Sequence, residues 1–246
     1  MKILIITTRF YPHIGGVEEV VSNIAKNLSK DNDVRVLSSL DAHTGLSKID
    51  KILKISLPEK NFGNYKNKRI WINIPHSVLG VIIFPTRFLL ALIELFSYVI
   101  KFKPDVINYH FPDDSSVYVS LLCSILKTPL VVNIHGNDLH IFSKKPIHKL
   151  FIRNLLNCAA KIIVNSAYMK SEFEKSYPSL AAKVKIIPNG LNVDLYSKST
   201  SKPYINDPYI FYVGRIVEKK GVDLLVKAFY KLKDLGLKLS KSFIFS

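Results

Sequence analysis

The feature that most constrains this chain is a regular alternation, beginning at the second residue, between short Val/Ile/Leu-rich runs and helix-length segments. The runs fall at 2–8, 34–38, 52–57, 105–110, 130–135, 161–166 and 183–187, each of strand length. A run that is apolar along its whole length must be buried on both faces. That pattern belongs to a parallel sheet covered by crossover helices. The first helix is the clearest: from Val17 onward, Val20, Val21, Ile24, Ala25 and Leu28 recur at amphipathic spacing. Further helices are expected at 115–126, 146–157 and 167–176. The class is α/β, with a Rossmann-like parallel sheet.

The pattern pauses at residues 197–203, a polar Ser/Lys/Thr stretch ending in Pro203. A second strand–helix unit follows, with a strand at 209–213 and a helix from Gly221 that aligns Val222, Leu225, Val226, Phe229 and Leu232. The division expected is a domain over 1–198, a linker over 199–208, and the start of a second domain over 209–246. One strand–helix–strand unit cannot bury its own apolar faces, so the second domain is expected to be incomplete. No internal repeat is visible.

Composition narrows the functional classes. Hydrophobic residues make up 48% of the 246, enough for a core, and 35 Lys+Arg against 19 Asp+Glu give a formal charge of +16. A field of that sign draws phosphates, nucleotides or an anionic membrane. The basic residues form no dense arm and do not interleave with aromatics, which argues against nucleic acid. Cys123 and Cys158 belong to no Cys/His cluster, and buried thiols are preferred over a disulfide. The apolar segment 77–100 is interrupted by Pro85, Arg87 and Glu94, leaving pieces short of a membrane span; a buried helix is expected, with a lipid-facing interfacial helix as the alternative.

In open parallel sheets, ligands bind beyond the carboxyl ends of the strands. Gly15-Gly16 stand between the first strand and first helix, where backbone amides can approach an anion; a plain turn is the alternative, and the spacing is not that of a dinucleotide fingerprint. His135 ends an apolar strand and is followed by Gly136-Asn137-Asp138, with His110 at the end of the preceding strand. Taken alone, His135 suits a ligand contact and a structural role equally. Arg215 and Lys220, bracketed by Gly214 and Gly221, would place two cations at a helix start, fit for a diphosphate. Asp31-Asn32-Asp33 has the form of a metal-binding D-x-D but precedes a strand, and reads as a turn. Asp113-Asp114 read as a helix cap.

Six segments, in order, resemble the family 4 retaining glycosyltransferases of GT-B architecture: Phe10 to Glu18, Lys103 to Ile107, Val132 to Gly136, Val164-Asn165-Ser166, Ile187 to Gly190, and Val213 to Asp223. The resemblance implies a GT-B-like fold, with a complete N-terminal Rossmann-like domain on the acceptor side and the first strand–helix unit of a second, nucleotide-sugar-binding domain. It implies a nucleotide-sugar donor facing Gly15 and Gly16, with Arg215 and Lys220 steadying the leaving phosphates and His135 near the donor sugar. His135, Arg215 and Lys220 are the catalytic candidates; His110, Asp138, Asn189 and Gly190 are candidate contacts to acceptor or sugar. No metal or other cofactor is implied, since cations of the chain face the developing charge.

The implied acceptor is a glycan or a lipid-linked glycan of the cell envelope, the implied location the cytoplasm or the cytoplasmic face of a membrane. Two departures stand out. Asn192 lies where the family carries Asp, and the family's second-domain glutamate pair and nucleoside-binding loops would lie beyond residue 246. Weak or absent turnover is therefore expected of these 246 residues. The alternatives are a non-catalytic remnant or partial reading frame, and a peripheral membrane-binding module.

Overall fold

The structure is a computed structural model. It describes residues 1–11, 15–39, 56–72, 78–113, 115–136, 138–139, 146–190, 193, 210–214, 216–234 and 243–245. The chain divides into two compact units, Met1–Gly190 and Leu191–Ser246. The expected linker at 199–208 lies outside the described residues.

In the first unit the elements run β1 (Lys2–Thr7), α1 (Gly16–Leu28), β2 (Asp33–Ser39), β3 (Ser56–Phe62), β4 (Tyr65–Ile70), α2 (Val78–Phe102), β5 (Val106–His110), α3 (Ser116–Leu126), β6 (Leu130–Ile134), α4 (Pro146–Cys158), β7 (Lys161–Val164), α5 (Ala167–Ser176) and β8 (Val184–Ile186). The strands form one eight-stranded sheet in the order β3-β4-β2-β1-β5-β6-β7-β8. Every pairing is parallel except β3 with β4. That edge hairpin was not expected: Tyr65–Ile70 is Lys- and Asn-rich, with no apolar run to announce it, and it becomes a strand by pairing with β2.

Successive side chains of β1 point to opposite faces, and this sorts the core. Leu4 and Ile6 pack with α2, α3, α4 and α5 through Leu95, Val99, Tyr118, Leu122, Leu155 and Phe173. Ile3 and Ile5 face α1, packing with Val21, Ala25, Val34 and Val36. Among the described residues one face thus carries four helices and the other carries α1.

The apolar segment 77–100 forms, as expected, a helix: the 25-residue α2, which carries Pro85 inside it. A proline removes a single helical hydrogen bond, and the burial of Ala91, Leu95, Val99 and Phe102 against the sheet holds the helix together. The expectation of a buried helix is met on one side only, since Leu89, Leu90, Ile93 and Ile100 are exposed. Among the described residues no helix is long and apolar enough to cross a membrane. Both cysteines are free thiols; Cys123 is buried as expected, but Cys158, the last residue of α4, is exposed.

In the second unit β9 (Ile210–Tyr212) and β10 (Phe243–Phe245) pair in parallel, with α6 (Val222–Asp234) between them in sequence. A short 3-10 turn over Glu218–Lys220 leads into α6 through Gly221, whose φ of +63° suits glycine.

Candidate active site at the strand ends

Two histidines meet where β5 and β6 end. His110 is the last residue of β5 and pairs with Asn133 of β6. His135 lies two residues beyond Asn133, and side chains two apart share a sheet face. The rings come together as a result: His110 Nδ1 lies 3.1 Å from His135 Nε2, with ring centroids 5.3 Å apart. His110 is fully buried, while His135 is partly exposed. Burial lowers the pKa of His110 to about 3, helped by the neighbouring His135, and burial lowers that of His135 to about 4. Both rings are therefore neutral at physiological pH. Two residues earlier on each strand, and on the same face, the Asn133 amide donates to Asn108 Oδ1.

Each strand leaves the sheet through an unusual backbone. Phe111, directly after His110, has φ +54°, and Gly136, directly after His135, has φ +113°. Positive φ in a non-glycine residue is strained and is commonest where a site demands it. Arg9, at the exit of β1, lays its guanidinium over the Phe111 ring at 5.4 Å.

Asp138 is fully buried and turned onto the backbone. Its carboxylate accepts from the amides of His135 (2.8 Å), Gly136 (2.7 Å) and Leu139 (3.1 Å). Burial raises its pKa to about 6, offset in part by those same amides, which favour the charged form. Both Asp138 oxygens are engaged within the loop, so it holds the His135 turn in shape. The His110 ring is closed off from solvent.

At the exit of β1, Gly15 is the extended N-cap of α1, and Gly16 begins the helix. A Cβ on Gly16 would have nothing within 4 Å, whereas one on Gly15 would come within 2.5 Å of Glu18 Oε2. The Glu18 carboxylate thus folds back on the helix start, a favourable place for negative charge. Arg69, from the end of β4, donates to the Tyr11 carbonyl at 2.6 Å and pins the turn entering this region. Neither Glu18 nor Arg69 was singled out in the sequence. The signal for Glu18 was its place three residues after the cap, the usual position of a back-reaching carboxylate.

Asn189 and Gly190 are exposed at the end of the first unit. Lys220, in the second unit, is exposed and closes the turn before α6. Arg215 lies outside the described residues. The described geometry brings His110, His135 and Asp138 together within the first unit. Asp31-Asn32 form the turn expected of them, with Asn32 donating to the Leu28 carbonyl at 3.0 Å. The Asp113 carboxylate accepts from the Ser115 amide at 2.9 Å, next to the start of α3; Asp114 lies outside the described residues. Among the described residues no group of three or more His, Cys, Asp or Glu could hold a metal ion.

This histidine pair falls within a match to the family profile of Glycosyltransferase Family 4, which extends over residues 14–195. The chain belongs to that family. It is 27% identical over 240 residues to an uncharacterized glycosyltransferase of Methanocaldococcus jannaschii, covering 96% of this chain and 57% of the relative. It is 23% identical over 230 residues to the GDP-mannose:cellobiosyl-diphosphopolyprenol alpha-mannosyltransferase of Xanthomonas campestris, covering 90% and 54%. The chain therefore spans little more than half the length of these two relatives. Among solved structures, the sucrose-phosphate synthase of Thermosynechococcus elongatus matches with a TM-score of 0.64 at 16% identity, over 94% of this chain and 59% of that one. Anabaena HepE in complex with UDP matches with a TM-score of 0.61 at 18% identity, over 94% and 58%. At such identities these structures speak to the fold, and it is the GT-B-like α/β fold that the sequence motifs implied.

Proposed function

We propose that this chain serves a glycosyltransferase that moves a sugar from a nucleotide-sugar donor to a glycan or lipid-linked acceptor, with retention of anomeric configuration. The observation that carries this reading is the neutral histidine pair at the carboxyl ends of β5 and β6, within the span of the family match. Expelling a nucleoside diphosphate builds negative charge, and catalysis then rests on donors and cations aimed at it. His135, partly exposed, offers a hydrogen bond to a donor oxygen. Gly16 leaves open space beside the first amides of α1 for a diphosphate, and Arg215 and Lys220 supply positive charge. No metal is required in this scheme. Relatives named for lipopolysaccharide and diphosphopolyprenol support a cell-envelope glycan as the product class; the place that goes with this reading is the cytoplasm or the cytoplasmic face of the membrane.

The test is binding of a panel of nucleotide sugars, followed through the backbone amides of Gly16, His135 and Gly136. Shifts at these amides, abolished in His135→Ala and weakened in Lys220→Ala, are expected. Failure of every nucleotide sugar to move them at millimolar concentration would overturn the reading. Turnover by the 246 residues alone is expected to be weak, and robust transfer would overturn that part. The anomeric form of the product of an active assembly decides retention.

A peripheral contact with an anionic membrane is the second reading, favoured by α2. Its exposed Leu89, Leu90, Ile93 and Ile100 are followed by exposed Lys101 and Lys103. Flotation with anionic vesicles that falls steeply with salt, and falls again in Leu89→Ser/Ile93→Ser, is the expected result.

A further inference from the structure

The histidine pair holds more information than proximity. With both rings neutral, only one N–H can lie between His110 Nδ1 and His135 Nε2, which are 3.1 Å apart. Two arrangements satisfy that distance. In one, His110 carries its proton on Nδ1 and donates to His135 Nε2. In the other, His135 donates from Nε2, and the His110 proton must sit on Nε2.

The atom that separates them is His110 Nε2. It is buried and, among the described residues, has no hydrogen-bond partner. The second arrangement would leave it as a buried N–H with nothing to donate to, a rare condition in native structures. The first leaves it as a buried bare lone pair. Of the two orphans, the lone pair is the one the surroundings favour.

We propose that His110 is a positioning residue, whose Nδ1–H donates to His135 Nε2 and thereby fixes His135 with its proton on Nδ1. His135 then presents a hydrogen-bond donor from its other nitrogen and cannot use Nε2 as a base. This inference rests on the proposed function for its chemical meaning, since a fixed N–H donor is what a sugar or phosphate oxygen of the donor requires. It does not rest on that function for its geometry. The surroundings keep the pair in register from both sides. Asp138 grips the His135 and Gly136 amides, and the Phe111 amide donates to the Asn133 carbonyl at 3.2 Å directly after His110. In the family resemblance His110 appeared as a candidate contact to acceptor or sugar; here it acts through its neighbour.

Long-range proton–nitrogen correlation spectra of the full chain, labelled with nitrogen-15 histidine, report the tautomer of each ring at neutral pH. Both His110 and His135 are expected to show a protonated Nδ1 and a bare Nε2, the reverse of the preference of a free histidine. An Nε2–H signature at His135 would overturn the proposal. In His110→Leu, His135 is expected to revert to a mainly Nε2–H form. His110→Asn, whose amide stands near the lost Nδ1–H, is expected to restore Nδ1–H. A His135 tautomer that ignores both substitutions would also overturn the proposal. If a variant fails to fold, the wild-type spectrum decides alone. Adding a nucleotide sugar separates the two readings: the expected tautomer with no ligand-induced shift at either ring leaves His110 its role and removes the donor site.

Discussion

Tyr109 and His110 are neighbours in β5, equally buried, and they end on opposite faces of one sheet. Tyr109 points into the face carrying four helices, where its hydroxyl meets Ser115 Oγ at 2.6 Å and Ser116 Oγ at 3.3 Å. Burial raises its pKa, and it stays a neutral donor and acceptor with its needs met. His110 points to the opposite face, makes one hydrogen bond to another histidine, and leaves a nitrogen unpaired. Burial alone does not distinguish structure from site here. The distinguishing mark is whether the surroundings satisfy the buried polar atom.

The largest effect that could break this contrast comes from Tyr109→Ala, expected to cost about 3–5 kcal/mol in urea unfolding because it opens a cavity between β5 and α3. Asp138→Ala is next, at about 2–3 kcal/mol, since three backbone amides lose their acceptor. A cost near zero would mean that water takes the carboxylate's place and that the His135 turn holds itself.

Acid sharpens the comparison. As pH falls from about 6.5 toward 4, unfolded histidines take up protons that native His110 and His135 refuse. Each then removes up to about 1.4 kcal/mol of stability per pH unit. Asp138 works in the opposite sense, because its native form is protonated first between about 6 and 4, returning one histidine's worth. Urea midpoints should thus fall on acidification in the wild type. In His110→Leu these groups should nearly cancel between about pH 6 and 4.

At neutral pH, His110→Leu should change stability by less than about 1 kcal/mol, because it removes one hydrogen bond together with one unsatisfied nitrogen. A cost comparable to that of Tyr109→Ala would erase the difference between the faces. The smallest effect is expected at Gly16→Ala. The added methyl meets nothing in the free protein, so stability should hold steady or rise by about 0.4–1 kcal/mol. Nucleotide-sugar binding should weaken if the diphosphate needs that space. Unchanged binding would return Gly15-Gly16 to the role of a plain turn.

How much of this was legible beforehand follows the range of the interactions. Six of the seven apolar runs became strands of the first unit, because a buried parallel strand writes its character into consecutive residues; the run at 52–57 lies mostly outside the described residues and meets β3 only at Ser56 and Leu57. Tyr65–Ile70, which lies between β3 and β2, alternates Tyr65, Asn67 and Arg69 with lysines and carries no such run. The helix at 77–100 was legible too, although Pro85 lies inside it and tertiary packing holds it together. At the site, the residue types and their place after the strands were visible. The tasks of Asp138 and His110 were not, since a carboxylate turned inward and one turned to a ligand look alike in sequence.

By itself, the sequence determined the α/β class, the order of the motifs and the histidines at adjacent strand ends, all encoded within windows of about ten residues. Only the tertiary structure decided which face each side chain joins and which polar atoms find partners. His110 and His135 are 25 residues apart, and Arg69 and Tyr11 are 58 apart. Such contacts exist only after the sheet has closed the distance, so no local pattern could have announced them.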